Sequence, residues 1–362
     1  MRVTIIERGM SMAVESKYYV HSSDKAALKA LKAIPGFHQF VRAFMKIWSE
    51  RQFRILNMSS NIRITDTQLS KYYEMLPPIC EKLGIDVPEL YLSLDVMPNS
   101  YTSGDTTPFI VMTSGLFETL PEELIPTVLA HECGHIACHH TLYRTMGNIL
   151  FGGASSAARN FVPTGLVTLP LEIAFFYWMR CSELSADRAA VICDGTSEKM
   201  SEVCMRLAGY DRDIRENASK EEFIKQAEEY RKMIKDSAWN KTLEFLILKN
   251  ESHPLMTVRA LECKEWGNSD QFKKIMDGTY LNEEVEEETE EETPETEDTE
   301  NEKKPKVKFE LPKLIKMPKE KVNEESESIS VPDEIRKYKE LYDDGIITEE
   351  EFNTKKKQLL GL

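Results

Sequence analysis

The segment Leu129-Ala-His131-Glu132-Cys133-Gly134-His135 sets two histidines four residues apart, with a glutamate directly after the first. On a helix four residues turn through about 400°, so His131 and His135 leave the same face and two imidazole nitrogens can reach one zinc ion. Glu132 stands about 100° further round, where its carboxylate can hold a water that the metal polarises. In a chain of this composition a His-Glu-x-x-His arises in about 1–2 of 100 shuffled sequences, so the match is informative and its surroundings decide its weight. Those surroundings are helical. Pro121-Glu122-Glu123-Leu124 reads as a first turn with acids at the positive end of the dipole, and Val128, Leu129, Gly134 and Ile136 give a face that can be buried. Pro126 would cost a bond inside a helix, so the helix starts near Ile125 or bends there.

A catalytic zinc takes three protein ligands and keeps one position open. The best third candidate is Glu183 in Cys181-Ser-Glu-Leu-Ser-Ala-Asp187-Arg-Ala-Ala190, a carboxylate on a second helix whose small neighbours let two helices approach closely. Asp187, one turn further on, suits accepting the remaining ring N–H of a ligand histidine. His139 and His140 follow the first motif directly. His139 continues the four-residue series from His135, and both also suit the polar end of a helix, where a cation meets the dipole. His253, in Glu251-Ser-His253-Pro254, fits either a hydrogen bond to a tetrahedral oxyanion or a polar residue at a helix start. His21 and His38 have no supporting pattern.

These groups need a scaffold, and the periodicity describes one. Apolar residues recur at three- and four-residue intervals from Ala26 to about Leu83, helices that must cover something. A strand at Leu90–Leu94, a polar turn at Pro98–Gly104 and an unbroken β-rich run at Pro108–Thr113 predict one small sheet. Helical patterns return at Pro121–Tyr143, at about Leu171–Cys193 and from Ser197 to Leu248. The fold class is α+β, mainly helical, with a small active-site sheet.

The chain has 362 residues and a net charge of −15, which excludes a general binder of nucleic acid or anionic membranes. The acid is concentrated. Glu283–Glu302 holds thirteen acidic residues and no basic one, leaving −2 for all the rest, and Lys303–Lys321 then supplies eight lysines. Residues 283–330 therefore read as a disordered, acidic-then-basic linker. Residues 331–362 regain order as a helical hairpin: Ile335, Tyr338, Leu341 and Tyr342 form a stripe, Asp343-Asp344-Gly345 turns, and Thr348-Glu-Glu-Glu351 caps a second helix. So small a unit buries too little to stand alone and points to self-association or a partner protein. Residues 1–282 form the metal-bearing domain, with a core of about 72–260. The seven cysteines show no Cys-x-x-Cys spacing, and the four-residue apolar run within Met1–Met12, set among Arg2, Glu7 and Arg8, is too short for the core of a secretory signal, so a cytoplasmic protein is expected. Phe161–Trp178 has roughly the length of a membrane span but carries Pro163, Gly165 and Pro170. It reads as a buried structural helix or as a segment that dips into a membrane, which keeps peripheral membrane association open.

In these features the chain resembles the HtpX-like and CaaX-prenyl-protease-like zinc metalloendopeptidases, the gluzincins. The resemblance is carried by Leu129-Ala-His-Glu-x-Gly-His135, by Ser182-Glu183-x-x-Ala186-Asp187-x-x-Ala190, by Pro98-Asn99-x-x-x-x-Gly104 ahead of Phe109–Thr113, and by His253-Pro254 followed by Arg259. It covers roughly Tyr72 to Arg259. It implies zinc ligands His131, His135 and Glu183, a general base at Glu132, support from Asp187 and oxyanion stabilisation by His253. It also implies that the strand Phe109, Ile110, Val111, Met112, Thr113 is the edge on which an extended peptide or protein substrate pairs. Cys133 replaces the family's usual aliphatic residue, and the several clear membrane spans of many relatives are missing. The tail resembles the short C-terminal SHOCT domain in Ile335-x-x-x-x-x-Leu341 and Gly345-Ile-Ile-Thr-Glu-Glu-Glu-Phe352. Two other readings compete with an endopeptidase: a non-catalytic scaffold whose structural zinc takes a fourth ligand such as Cys133 or His139, and an aminopeptidase, which needs an acidic group near the site to hold a free amine.

Overall fold

The computed structural model describes residues 13–47, 49–151, 169–209, 218–237, 240–241, 243–244, 248 and 255–282. The chain divides into two units, Met1–Phe309 and Glu310–Leu362, and all described residues belong to the first. The expected linker at 283–330 and hairpin at 331–362 lie outside the described residues.

Three helices open the fold: α1 (Ser22–Lys32), α2 (Phe37–Ile47) and α3 (Glu50–Ser60). A strand β1 (Ile62–Ile64), a short α4 (Ser70–Tyr73) and α5 (Leu76–Leu83) follow, then the strands β2 (Glu89–Ser93), β3 (Ser100–Ser103) and β4 (Phe109–Thr113). The remaining elements are helical: α6 (Ser114–Thr119), α7 (Ile125–Ala137), α8 (Thr141–Phe151), α9 (Leu169–Asp194), α10 (Glu198–Leu207), α11 (Lys220–Asp236), α12 (Met256–Gly267) and α13 (Asp270–Met276). The domain is thus mainly helical around one small mixed sheet, as the periodicity predicts.

The sheet runs β1-β2-β4-β3, with β2 and β4 parallel and the outer pairs antiparallel. This order corrects the expectation for Phe109–Thr113. That strand is interior, bonded to β2 on one side and β3 on the other, and all five of its residues are buried. The edge is β3, in the segment that reads as a polar turn. Its residues are Ser, Tyr, Thr and Ser, and the β-branched and aromatic members suit a strand as well as a loop. The loop after it turns at Gly104, whose φ of 112° only glycine adopts without strain.

Two apolar clusters meet along α9. The larger lies between one sheet face, α5, α7, the C-terminal half of α9, α10, α12 and α13, with Leu90, Ile110, Leu129, Ala189 and Val203 at its centre. The second joins α1, α2 and α8 to the N-terminal half of α9 through Leu31, Phe37, Phe40, Phe44, Phe175, Trp178 and Met179. This is what the N-terminal helices cover. The other sheet face, with Tyr91, Phe109 and Val111, is closed by Phe53 of α3. Of the ambiguous apolar run 161–178, the residues from Leu169 on form the start of α9, where Leu171, Phe175 and Trp178 are at most 1% exposed. That half is a buried structural helix. Residues 161–168 lie outside the described residues. Among the described residues no helix is long and apolar enough to cross a membrane.

Candidate metal centre

The first motif sits on α7, which begins at Ile125 with Pro126 in its first turn, so the proline costs no bond. A 3-10 turn, Glu122–Leu124, precedes it. Every residue from Thr127 to His135 is buried. Glu183 and Asp187 sit on α9, which crosses α7 at Gly134. A Cβ at Gly134 would come 2.6 Å from Ala189 Cβ and 3.0 Å from Ala186 Cα, closer than ordinary contact. The missing side chain and the two alanines bring the helices close enough for three side chains to converge.

Ligand atoms of His131, His135 and Glu183 lie within 4.8 Å of one another, the group that could hold a metal ion among the described residues. Both histidine Nε2 atoms stand 3.4 Å from a different oxygen of Glu183. His135 Nε2 is buried without a hydrogen-bond partner, and the buried Glu183 oxygens are met by ion pairs alone. Stranding a ring nitrogen in a protein interior is expensive, and a cation held between it, His131 Nε2 and the Glu183 oxygens satisfies it. Two imidazoles and a carboxylate are also a donor set that suits zinc. The residues fit the metal.

Their surroundings are strongly charged. Burial would raise the Glu183 pKa, but Arg144 Nη1 at 2.7 Å from Oε1 and Arg259 Nη1 at 3.0 Å from Oε2 hold it well below the usual carboxylate range. Asp187 takes His131 Nδ1 at 2.9 Å and Arg259 Nε at 2.8 Å, and Arg259 lowers its pKa against the cost of burial. In His131, burial is overcome by Asp187 and Glu183, which push the ring up to about 9. In His135, burial and Arg144 push the ring well below its usual value. Asp187 thus lies against the His131 Nδ1, the ring nitrogen that does not face Glu183.

Glu132, between the histidines, is held by the edge strand. Ser100 Oγ donates to Glu132 Oε1 and Thr102 Oγ1 to Oε2, both at 2.6 Å. Beside it opens a cleft of about 300 Å³ whose walls include Met97, Asn99, Val128, Met200, Met256 and Arg259. Glu132 and Glu183 are the carboxylates among its described lining residues.

The alternatives for a fourth ligand separate cleanly. Cys133 faces the larger apolar cluster, and His139 lies past the end of α7 with a left-handed φ of 56°. That reversal breaks the four-residue series and returns His140 beneath the helix, where its N–H donates to the His135 carbonyl at 3.0 Å. His140 is 2% exposed, an interior residue and not a polar helix end. His253 lies outside the described residues.

Several site residues escape the sequence reading. Arg144 is the lone charge in Thr141–Phe151, a signal that was available. Ser100 and Thr102 stand in an ordinary polar stretch, and Asp24 is indistinguishable from any acid in a first helical turn.

The model of peptidase family M48 matches residues 66–266, more than half of the chain. The chain belongs to peptidase family M48. Among similar proteins, the plastoglobule-localized metallopeptidase 48, chloroplastic, of Arabidopsis thaliana is 33% identical over 265 residues, covering 71% of this chain and 74% of the relative. A protease HtpX homolog of Ralstonia pickettii (strain 12J) is 22% identical, over 46% of this chain and 65% of its own length. Protease HtpX of Legionella pneumophila (strain Corby) is 30% identical over 25% of this chain and 33% of its own. The short C-terminal domain, SHOCT, matches residues 333–360. No solved structure gives a significant match. The chain is therefore a metalloprotease of the M48 family carrying a SHOCT tail, and the class of its substrates is peptide or protein. The expected cytoplasmic placement is overturned by these relatives, since HtpX proteins are membrane proteins and the plant relative carries a plastoglobule name. The cysteine and leader arguments address oxidation and export, and neither bears on membrane attachment.

Proposed function

We propose that this chain is a zinc endopeptidase in which His131, His135 and Glu183 hold the ion. The observation that carries the reading is the convergence of buried ligand atoms of His131, His135 and Glu183, with His135 Nε2 unpartnered, beside a glutamate that lines the cleft. When bound, zinc supplies Lewis acidity to a water and to the scissile carbonyl. The protein's own groups do the rest. Glu132 takes the proton of the attacking water and returns it to the leaving nitrogen, with Ser100 and Thr102 keeping its carboxylate aimed along the cleft. Asp187 and Arg259 fix His131. His253 is assigned to the oxyanion on the strength of the resemblance.

The substrate pairs with β3 in place of β4. Thr113 N–H donates to Asn99 O, so pairing alternates along β3 and the peptide groups of Ser100 and Thr102 face away from β4. An extended peptide added there gains backbone bonds that tolerate many side chains. The endopeptidase reading is favoured over an aminopeptidase because both cleft carboxylates are engaged, Glu132 by hydroxyls and Glu183 by arginines.

The test is zinc quantification alongside peptide cleavage for the natural chain and Glu132→Gln. The variant should keep one zinc and lose hydrolysis by at least about a hundredfold, the scale of a lost general base. Undiminished cleavage would remove Glu132 from the mechanism.

A further inference from the structure

Asp24 on α1 is a carboxylate only 2% exposed, and it lies outside the stretch matched by the family model. Every group facing it is a donor. Trp178 Nε1–H meets Oδ1 at 2.9 Å, Ser185 Oγ–H meets Oδ2 at 2.6 Å, and His140 Nε2 stands 2.9 Å from Oδ2. His140 in turn places its Nδ1 3.0 Å from His135 Nδ1. A carboxylate can only accept, so His140 carries a proton on Nε2. In the neutral imidazole its Nδ1 then accepts, and His135 must hold its own proton on Nδ1. That leaves the His135 lone pair on Nε2, the buried atom without a partner that faces Glu183.

We infer that Asp24 is a positioning residue for the metal centre, holding His135 through His140 in the tautomer and ring orientation that present Nε2 to the ion. The inference rests on the metal-ligand reading above. The two ligand histidines are thus each tied to a carboxylate, His131 directly to Asp187 and His135 to Asp24 by way of one more imidazole. Such outer partners fix ligand geometry and raise ligand basicity. The N-terminal helix is fastened to the site helix at the same place, since Ser185, between Glu183 and Asp187 on α9, also accepts from the His21 N–H at 3.0 Å.

Asp24→Asn separates this role from simple packing. Because the partners are all donors, no orientation of an asparagine amide satisfies them. If its oxygen stays on Trp178, its NH₂ meets His140 Nε2, so the His140 proton must sit on Nδ1 and donate to His135 Nδ1, which leaves the His135 ring's own proton on Nε2, where it blocks the metal. The probe is zinc alone, with affinity measured by competition against a chromophoric chelator, together with the melting temperature of the zinc-free protein. Asp24→Asn should bind zinc 10- to 100-fold more weakly, the range for lost outer partners. Trp178→Phe, which removes a different donor from the same carboxylate, should stay within about threefold even where it lowers the melting temperature. Equal loss in both variants, or natural affinity in Asp24→Asn, overturns the inference and leaves the metal reading intact. Absence of zinc binding in the natural chain overturns both. Ring-nitrogen NMR of the zinc-free natural protein needs no variant: a proton on His135 Nδ1 is expected, and one on Nε2 refutes the assignment.

Discussion

The hydroxyls of Ser100 and Thr102 each engage one oxygen of Glu132, so the proposed base is held by a strand and not by its own helix. Each bond ends on a charged group and contributes roughly 1.5–3 kcal/mol. Ser100→Ala and Thr102→Val should each lower kcat about tenfold or more, with bound zinc unchanged, because the carboxylate gains freedom to leave its productive orientation. Steady-state kinetics with metal analysis checks this, and a loss confined to KM would point to substrate pairing instead. At this scale the motif was legible because chemistry imposes spacing. His131, Glu132, His135, Glu183 and Asp187 stand on two helices at intervals that only helical geometry makes meaningful. Arg144, Ser100, Thr102 and Asp24 reach the centre from other elements. No local period links them to it, so contacts across 30 residues or more in sequence leave no trace beyond Arg144 standing as the lone charge of its helix.

Between elements, the approach of α7 and α9 sets the distances in the site. Gly134→Ala would press a methyl against Ala189 Cβ at 2.6 Å and against backbone at Ala186, which has no soft neighbour to move. Overpacking of this kind costs about 1–3 kcal/mol, and it should weaken zinc binding as well, since relief requires the helices to part. Denaturant unfolding with and without zinc measures both effects. The sheet carries a pH-sensitive joint on its far side. Glu89 accepts from Arg54 of α3 at 2.8 Å, Arg63 of β1 at 3.0 Å and the Tyr91 hydroxyl at 2.8 Å. Burial raises its pKa, yet these partners lower it below the usual 4.5. A depressed folded pKa contributes stability that is fully present above the unfolded value and lost as pH falls through the folded one. The stability gap between the natural chain and Glu89→Gln should thus be positive at pH 7 and close as acid passes below about pH 4. A gap that stays constant through the whole acid range would show that packing, not charge, is at work. The strand order itself was hidden in the sequence. Run lengths located β2 and β4, but β3 is short and polar because its side chains serve Glu132 and Thr145, and a functional strand of that composition reads as a turn.

Across the whole molecule, the metal and the tail should act separately. Thirteen of the acidic residues lie in Glu283–Glu302, so residues 1–282 carry a net charge of only −3, and the SHOCT match begins at 333. None of the centre's residues falls in that acidic stretch or beyond it. A chain ending at Asn282 should therefore bind zinc as the full chain does. Loading should raise the melting temperature of both by the same amount, since a ligand present at 100 times its Kd adds about 2.7 kcal/mol to whatever fold binds it. Chelation should reverse that gain in both, returning His135 Nε2 to an unsatisfied interior. What truncation should change is assembly. If residues 331–362 form the expected hairpin of about thirty residues, its interior is too small to be stable alone and needs a second copy or another protein. Light scattering of the full chain, of a chain ending at Ser330 and of the chain ending at Asn282 decides the matter. If 331–362 drives self-association, only the full chain exceeds one copy in mass, while the chain ending at Ser330, which keeps the acidic stretch, and the chain ending at Asn282, which lacks it, both stay single. One-copy masses for all three, with unchanged zinc stabilisation, would assign the tail to a different protein partner and leave the centre's independence standing.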